Sequence, residues 1–142
     1  MFFAWLSRRP GHKVVVGAAA KYVVTSSNYT PTAGSGVTIT AQLTDANNHS
    51  VKTAGLVVTW SKSDPGGSFG SPTSTTDANG VATVTFTTSA TPSTSTTVTA
   101  TDTNAMTGTS GTITTQGTGG AAPAYFAQEF FAADYFDGAF FP

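Results

Sequence analysis

The residues that could do chemistry in this sequence are few, and their spacing matches no catalytic pattern. The two histidines, His12 and His49, have no nucleophile at a characteristic separation along the chain. Serine and threonine are so abundant that any Ser-His-Asp set would arise by coincidence. The chain has no cysteine, which excludes thiolate nucleophiles, disulfides and cysteine-based metal sites. These side chains predict a protein that is not an enzyme and that needs no cofactor.

Two loops have partial binding motifs. Asp45-Ala46-Asn47 matches the start of a calcium-binding loop, but the glycine and glutamate that such a loop requires do not follow. An Asx turn, in which the carboxylate accepts a backbone N–H, explains the pattern better. Gly66-Gly67 follows a proline and opens no helix, so it does not form a phosphate-binding loop. We therefore expect no metal and no phosphate site.

The middle of the chain has the alternation of a β-protein. Between residues 20 and 115, apolar and polar side chains alternate with a period of two, most clearly in GVTITAQLTDA and VATVTFTT. β-branched residues, which pleated sheets favour, dominate these runs, and Trp60 is the largest side chain available to fill a core. Asn79-Gly80 is a strong hairpin signal, since both residues tolerate a positive φ. Six or seven short strands at this spacing predict an all-β sandwich with no helix.

Three stretches of this region resemble a known family. AGSGVTITAQLTDANNHSVKTAGLVVTWS, STTDANGVATVTFTT and TVTATD are similar to the bacterial immunoglobulin-like (Ig-like) domains of the invasin/intimin type. The resemblance covers about residues 20–116 and is most specific from Thr76 to Val84, TDANGVATV. At Asn48 such domains more often have glycine, so the resemblance implies a slightly altered turn there.

The resemblance implies a fold and a class of function. It implies a seven-stranded immunoglobulin-like β-sandwich without the disulfide of antibody domains, which agrees with the absence of cysteine. It also implies a spacer or display module, of the kind found on bacterial adhesins and as an appendage on virion proteins of tailed phages. It implies no catalysis.

Composition divides the chain into four segments. We expect a basic aromatic N-terminal arm at residues 1–19, the Ig-like β-sandwich at residues 20–116, a flexible linker at residues 117–124 and an aromatic tail at residues 125–142. The linker reads GTGGAAPA. The net charge of the whole chain is −1, so we expect no pull toward nucleic acid or an anionic membrane. No apolar run approaches the ~20 residues that span a bilayer.

The tail is built from aromatic pairs at a fixed step of five residues. If it stands free, eight large rings face water, and a patch of this kind marks an interaction surface. Two other interpretations are a pentapeptide-repeat β-helix and a tail folded back onto the sandwich. We favour an extended arm whose rings fill pockets on partner subunits, and the pairs look like those in small structural proteins of tailed phages. These residues are Tyr125, Phe126, Phe130, Phe131, Tyr135, Phe136, Phe140 and Phe141.

The N-terminal arm also has the residue types that anchor interfaces. Large apolar side chains precede a basic run, and tryptophan, phenylalanine and arginine are enriched in such anchors. Ser7-Arg8-Arg9 has some features of a twin-arginine export signal, but the apolar stretch after it, Val14 to Ala20, is short and contains a glycine. We therefore expect the arm to be retained. Its candidate partner-binding residues are Phe2, Phe3, Trp5, Arg8 and Arg9.

These segments suggest two functional classes. In the first, the protein is a virion structural or decoration protein, held by its arms to capsid, neck or tail proteins and to neighbouring copies. Its Ig-like domain would then project outward and bind a host-surface glycan weakly, with many copies supplying avidity. In the second, the protein is an adhesin module at the bacterial cell surface or secreted. The two aromatic ends and the single domain copy favour the first class.

Overall fold

The structure, a computed structural model, describes residue 11 and residues 13–119. These residues form ten short strands and no helix, which confirms the all-β prediction. Consequently no helix in this part of the chain is long and apolar enough to cross a membrane. In chain order the strands are β1 Lys21–Ser26, β2 Gly36–Thr44, β3 Val57–Lys62, β4 Ser68–Phe69, β5 Thr73–Thr75, β6 Val81–Thr87, β7 Ser95–Thr96, β8 Val98–Asp102, β9 Thr107–Thr109 and β10 Ile113–Thr114.

The strands form two antiparallel four-stranded sheets and a small two-stranded one. The first sheet has the order β1-β2-β6-β4, the second has the order β5-β3-β8-β9, and β10 pairs with β7. The predicted count of seven strands is not confirmed. Only Thr97 separates β7 from β8, and three residues separate β9 from β10, so local breaks in two longer strands raise the number.

The core lies between the two four-stranded sheets, where the alternating apolar side chains meet. The odd residues of β2 and the even residues of β6 point inward, as the alternation predicts. Trp60 is only 5% exposed, which confirms its predicted place in the core. The rings of Phe69 and Phe86 pack with their centroids 5.1 Å apart, a separation typical of favourable aromatic pairs. The largest apolar side chains that are completely buried are Phe86, Ile39, Leu43, Ile113, Val58 and Val98.

The edges of the sheets are short or covered. Strand β4 has two residues and β5 has three, so neither edge offers a long row of unpaired backbone groups. Strand β9 lies against β1, and a Cβ on Gly108 would collide with the carbonyl oxygen of Tyr22. Only glycine allows this close approach between the two sheets. The sandwich is therefore poorly suited to adding a partner strand at its own edges.

The turn at Asn79-Gly80 is present, but the hairpin prediction is wrong. The backbone N–H of Gly80 donates to the carbonyl of Asp77 at 2.9 Å, and Gly80 has a φ of 74°. However, the strand before this turn, β5, lies in one sheet and the strand after it, β6, lies in the other. Here the turn connects strands of two different sheets. The turn residues determine how the backbone bends, whereas the packing around the strands determines which strand each of them pairs with.

The chain enters and leaves the sandwich at opposite ends. Lys21, at the start of β1, pairs with Thr44 at the end of β2. Thr32, four residues before β2 begins, forms a parallel bridge with Gln116 near the end of the described chain. We call the end where the N-terminal segment arrives the proximal end and the other the distal end. The nine residues of β2 separate them by about 30 Å at a rise of ~3.4 Å per residue.

Candidate interaction surface at the proximal end

Three turns with one geometry close the proximal end. Each begins with an aspartate, at Asp45, Asp77 and Asp102, and has asparagine two residues later. In each, the carboxylate Oδ1 accepts the backbone N–H of that asparagine at 2.8 Å. The same oxygen accepts the N–H of the fourth residue after the aspartate at 2.9–3.0 Å. We call these the Asp turns, and each aspartate side chain replaces backbone partners that the strand no longer supplies.

The third residue after the aspartate has a left-handed backbone in every Asp turn. The φ angles are 66° at Asn48, 74° at Gly80 and 61° at Ala105. Glycine adopts this geometry without steric cost and asparagine tolerates it, so Asn48 keeps the same turn as Gly80. The predicted Asx turn at Asp45 is confirmed, and the same turn recurs twice where the sequence analysis did not identify it.

Asp45 has one further function, which is to hold the segment that precedes β1. Its second oxygen, Oδ2, accepts the backbone N–H of Gly17 at 2.8 Å and lies 3.0 Å from Nδ1 of His49. Four donors therefore surround one buried carboxylate. The Gly17 N–H makes the largest contribution to lowering the pKa of Asp45 to about 2, and the donors from His49 and Asn47 add to it.

Asp102, the aspartate of the third Asp turn, uses its second oxygen to connect the two sheets. Its Oδ2 accepts a hydrogen bond from the Tyr22 hydroxyl at 3.2 Å, between residues 80 positions apart. Burial raises the pKa of the Tyr22 phenol, and the nearby charge of Asp102 raises it further. The phenol therefore stays protonated and able to donate, so this contact ties β1 to the end of β8.

The hydrogen bonding of the Asp turns leaves little capacity for other chemistry. Backbone donors occupy Oδ1 of each aspartate, and the part of the chain that the structure describes contains no group of three or more potential metal ligands. The His49–Asp45 pair has the contact distance of a catalytic dyad. However, among residues 13–119 no serine or threonine hydroxyl is hydrogen-bonded to His49. The proximal end is therefore built to hold backbone in place.

Three consecutive exposed valines lie next to this end. Val14, Val15 and Val16 are 60%, 77% and 50% exposed, and they are half of the six large apolar residues that are exposed in the described chain. The segment is fixed just after the patch, since Gly17 is bound to Asp45 and the N–H of Ala20 donates to the carbonyl of Thr44 at 2.9 Å. We call Val14–Val16 the valine patch.

The outward face of the second sheet has a different character, because it is neutral and covered with hydroxyls. Thr99 and Thr109 share a hydrogen bond at 2.9 Å across β8 and β9, and Thr101 and Thr107 share one at 3.2 Å. Thr59 of β3 lies in register with Thr101, which extends the row by one strand. The hydroxyls of this face can hydrogen-bond a hydroxylated ligand. None of these threonines provides an aromatic ring on which a sugar could stack.

The structure does not test the site residues predicted from the sequence. The aromatic and basic residues of the N-terminal arm and all eight rings of the tail lie outside the described residues. The sequence analysis missed the valine patch, although the run KVVVG is visible in the sequence. A short apolar run has no sequence signal for its exposure, since the same residues also fit the apolar part of an export signal.

Comparison with known proteins supports the fold. No protein-family model matches the sequence, and no curated protein matches it either. Among solved structures, the D00-D0 domain of intimin matches with a TM-score of 0.57 at 20% identity, over 73% of this chain and 50% of that chain. The adhesin InvE of Yersinia pseudotuberculosis matches with a TM-score of 0.58 at 19% identity, over 71% of this chain and 33% of that chain.

Enzymes also contain this fold. A family 2 glycosyl hydrolase of Bacteroides cellulosilyticus matches with a TM-score of 0.61 at 17% identity, but over only 15% of that chain. One intimin fragment among the matches was solved in complex with the intimin-binding domain of the translocated intimin receptor. This chain spans half the length of the D00-D0 fragment of intimin and less of InvE and of the glycosyl hydrolase. At these identities the likeness shows the fold, an Ig-like sandwich similar to those of intimin and InvE.

Proposed function

We propose that this protein is a non-enzymatic adhesion and display module that presents an Ig-like sandwich at a bacterial cell surface. The observation that carries the proposal is that the chain enters at the proximal end and leaves at the distal end. A domain of this kind can be inserted in line in a longer rod, where it keeps its two neighbours about 30 Å apart. The likeness to the Ig-like domains of intimin and InvE supports the same interpretation.

The contacts at the proximal end support a spacer more than a binding pocket or a catalytic site. Asp45 fixes the incoming segment at Gly17, so the direction in which the chain approaches the sandwich is set by a hydrogen bond between residues 28 positions apart. A spacer needs such fixed junctions, because a free hinge at each junction would lose the alignment of the rod. The hydroxylated outer face adds a neutral surface that could meet a glycan or a protein partner.

A second candidate function rests on the ends of the chain. Both termini are rich in aromatic residues, and they differ in charge, with +4 over residues 1–21 and −3 over residues 122–142. These features favour a virion structural protein of a tailed phage, anchored by its arms to capsid, neck or tail proteins. In that case the same sandwich would project from the particle and bind the host surface weakly.

Localisation of the native protein separates the two candidates. An antibody raised against residues 20–116 is applied to intact producing bacteria and, in parallel, to particles purified on a density gradient from the same culture. We expect labelling of the cell surface that a brief protease treatment of intact cells removes. An antibody against a cytoplasmic protein is the control for lysis. Enrichment in the particle fraction without labelling of cells would overturn the proposal and establish the virion function.

A further inference from the structure

We propose that the valine patch, Val14–Val16, binds the acidic aromatic tail, residues 125–142, of a second copy of this chain, so that copies associate head to tail. The inference concerns self-association. It therefore goes beyond the proposed function and holds whether the protein is displayed on a cell or on a particle.

Exposure is the first argument. Three consecutive valines at 50–77% exposure leave apolar surface in water that burial would stabilise by ~25 cal/mol per Å². The strand edges at this end are only three residues long, in β5, or are covered by β9, so they do not offer a competing surface. The patch is also held in place at Gly17 and Ala20, and a partner therefore meets a segment whose position is partly fixed.

The chemistry of the two segments is the second argument. β-branched side chains pair favourably with aromatic rings across neighbouring strands, and the tail offers four aromatic pairs. Charge also matches. The patch follows Lys13, which is exposed, and precedes Lys21, while the tail has Glu129, Asp134 and Asp137 with no basic residue. Opposite charges of this kind favour encounter and fix the orientation of the two segments.

The positions of the chain ends are the third argument. The valine patch is at the proximal end, and the described chain leaves from the distal end. The described chain therefore ends at the opposite side of the sandwich from its own patch, and a copy placed beyond the distal end brings its patch next to that point. Such a contact joins two different surfaces, so a dimer keeps one free patch on one copy and one free tail on the other. This arrangement produces chains that lengthen as the protein concentration rises.

The test uses full-length protein and two sets of substitutions. A patch variant contains Val14→Thr, Val15→Thr and Val16→Thr, which keep the β-branched shape and remove apolar surface. A tail variant contains Phe130→Ala, Phe131→Ala, Tyr135→Ala and Phe136→Ala. Val57→Thr, at a valine that is 43% exposed on the sheet, is the matched control. Circular dichroism and thermal melting establish that every variant is folded, and sedimentation velocity gives the masses.

The expected result is a pattern of masses that only head-to-tail contact produces. Wild type and Val57→Thr should give a series of oligomers that grows with concentration and shrinks at high salt. Each variant alone should stay monomeric, whereas an equimolar mixture of the two should form dimers and nothing larger, because one functional patch meets one functional tail. A monomeric wild type at all concentrations, including one whose tail folds onto its own patch, would overturn the proposal, and so would oligomers of either variant alone.

Discussion

At the residue scale, the three Asp turns are a natural series of substitutions at a single backbone geometry. The left-handed residue is Gly80 in one turn, Asn48 in another and Ala105 in the third. The aspartate, the asparagine two residues later and their hydrogen bonds stay the same. The left-handed region costs a residue with a Cβ ~1–2 kcal/mol, and asparagine recovers part of this through local hydrogen bonding. The three turns therefore differ in strain although they share a structure.

The first prediction concerns this strain. Ala105→Gly should raise the free energy of unfolding by ~0.5–1 kcal/mol, because relief of the left-handed strain exceeds the extra backbone entropy that glycine loses. Asn48→Gly, at the matched position, should have a smaller effect. Gly80→Ala should destabilise by more than ~1 kcal/mol, since a Cβ there would also collide with the carbonyl oxygen of Val51. Urea denaturation measures all three, and equal effects of the two glycine substitutions would contradict the strain account.

The second prediction concerns Asp45. Its pKa is lowered from 3.8 to about 2 in the folded protein, so its contribution to stability is fully present above pH ~3.8 and is lost as the pH falls through about 2. Asp45→Asn removes that contribution at every pH. The gap in urea midpoint between wild type and Asp45→Asn should therefore be wide at pH 7 and narrow at pH 2. A gap of the same width at both pH values would show that the charge of Asp45 does not stabilise the fold.

At the element scale, alternation alone predicted most of the sheet structure. GVTITAQLTDA and VATVTFTT became β2 and β6, which pair over seven residues in the register that puts their apolar side chains on one face. The hairpin at Asn79-Gly80 failed for a specific reason. Turn chemistry is a local property, whereas membership of a sheet depends on side chains that meet across the sandwich. Neither the Asp45–Gly17 bond nor the Tyr22–Asp102 bond has a local signal, because their partners are 28 and 80 residues apart.

The third prediction tests the core position of one element, β3. Trp60→Ala should destabilise the protein by ~3–5 kcal/mol, since Trp60 is buried between the sheets and its removal leaves a cavity. Trp60→Phe should cost less, because it keeps most of the volume and loses the indole N–H that donates to the Ser74 hydroxyl at 3.0 Å. Both are measured by urea denaturation with circular dichroism. Similar losses for the two variants would show that the hydrogen bond, and not the volume, is what stabilises this position.

At the scale of the whole molecule, the chain divides into a folded unit and segments outside it. The strands run from Lys21 to Thr114, within the predicted domain of residues 20–116. That domain boundary, the linker and the functions of both arms stay predictions. The sequence could not set the N-terminal boundary well, because the contact that extends it to Gly17 is made by a side chain that is distant along the chain.

The fourth prediction compares two fragments. Residues 20–116 should fold without either arm, because the core lies within them. Residues 13–119 should be more stable than the shorter fragment, since they include the Gly17 N–H that binds Asp45. The difference should largely disappear when both fragments contain Asp45→Asn. Thermal melting and limited proteolysis measure this, and an unfolded 20–116 fragment would contradict the domain assignment.

The opposite positions of the two chain ends also determine how the molecule responds to mechanical load. A pull applied through residue 13 and residue 119 acts roughly parallel to the strands, so the ladder between β1 and β2 is sheared and its six residue pairs share the force. A domain with both ends on one side would instead be unzipped, one pair at a time. The hydrogen bond from Gly17 to Asp45 would be loaded before that ladder. Its rupture would extend the chain by the few residues between Gly17 and β1 while the sandwich stays folded.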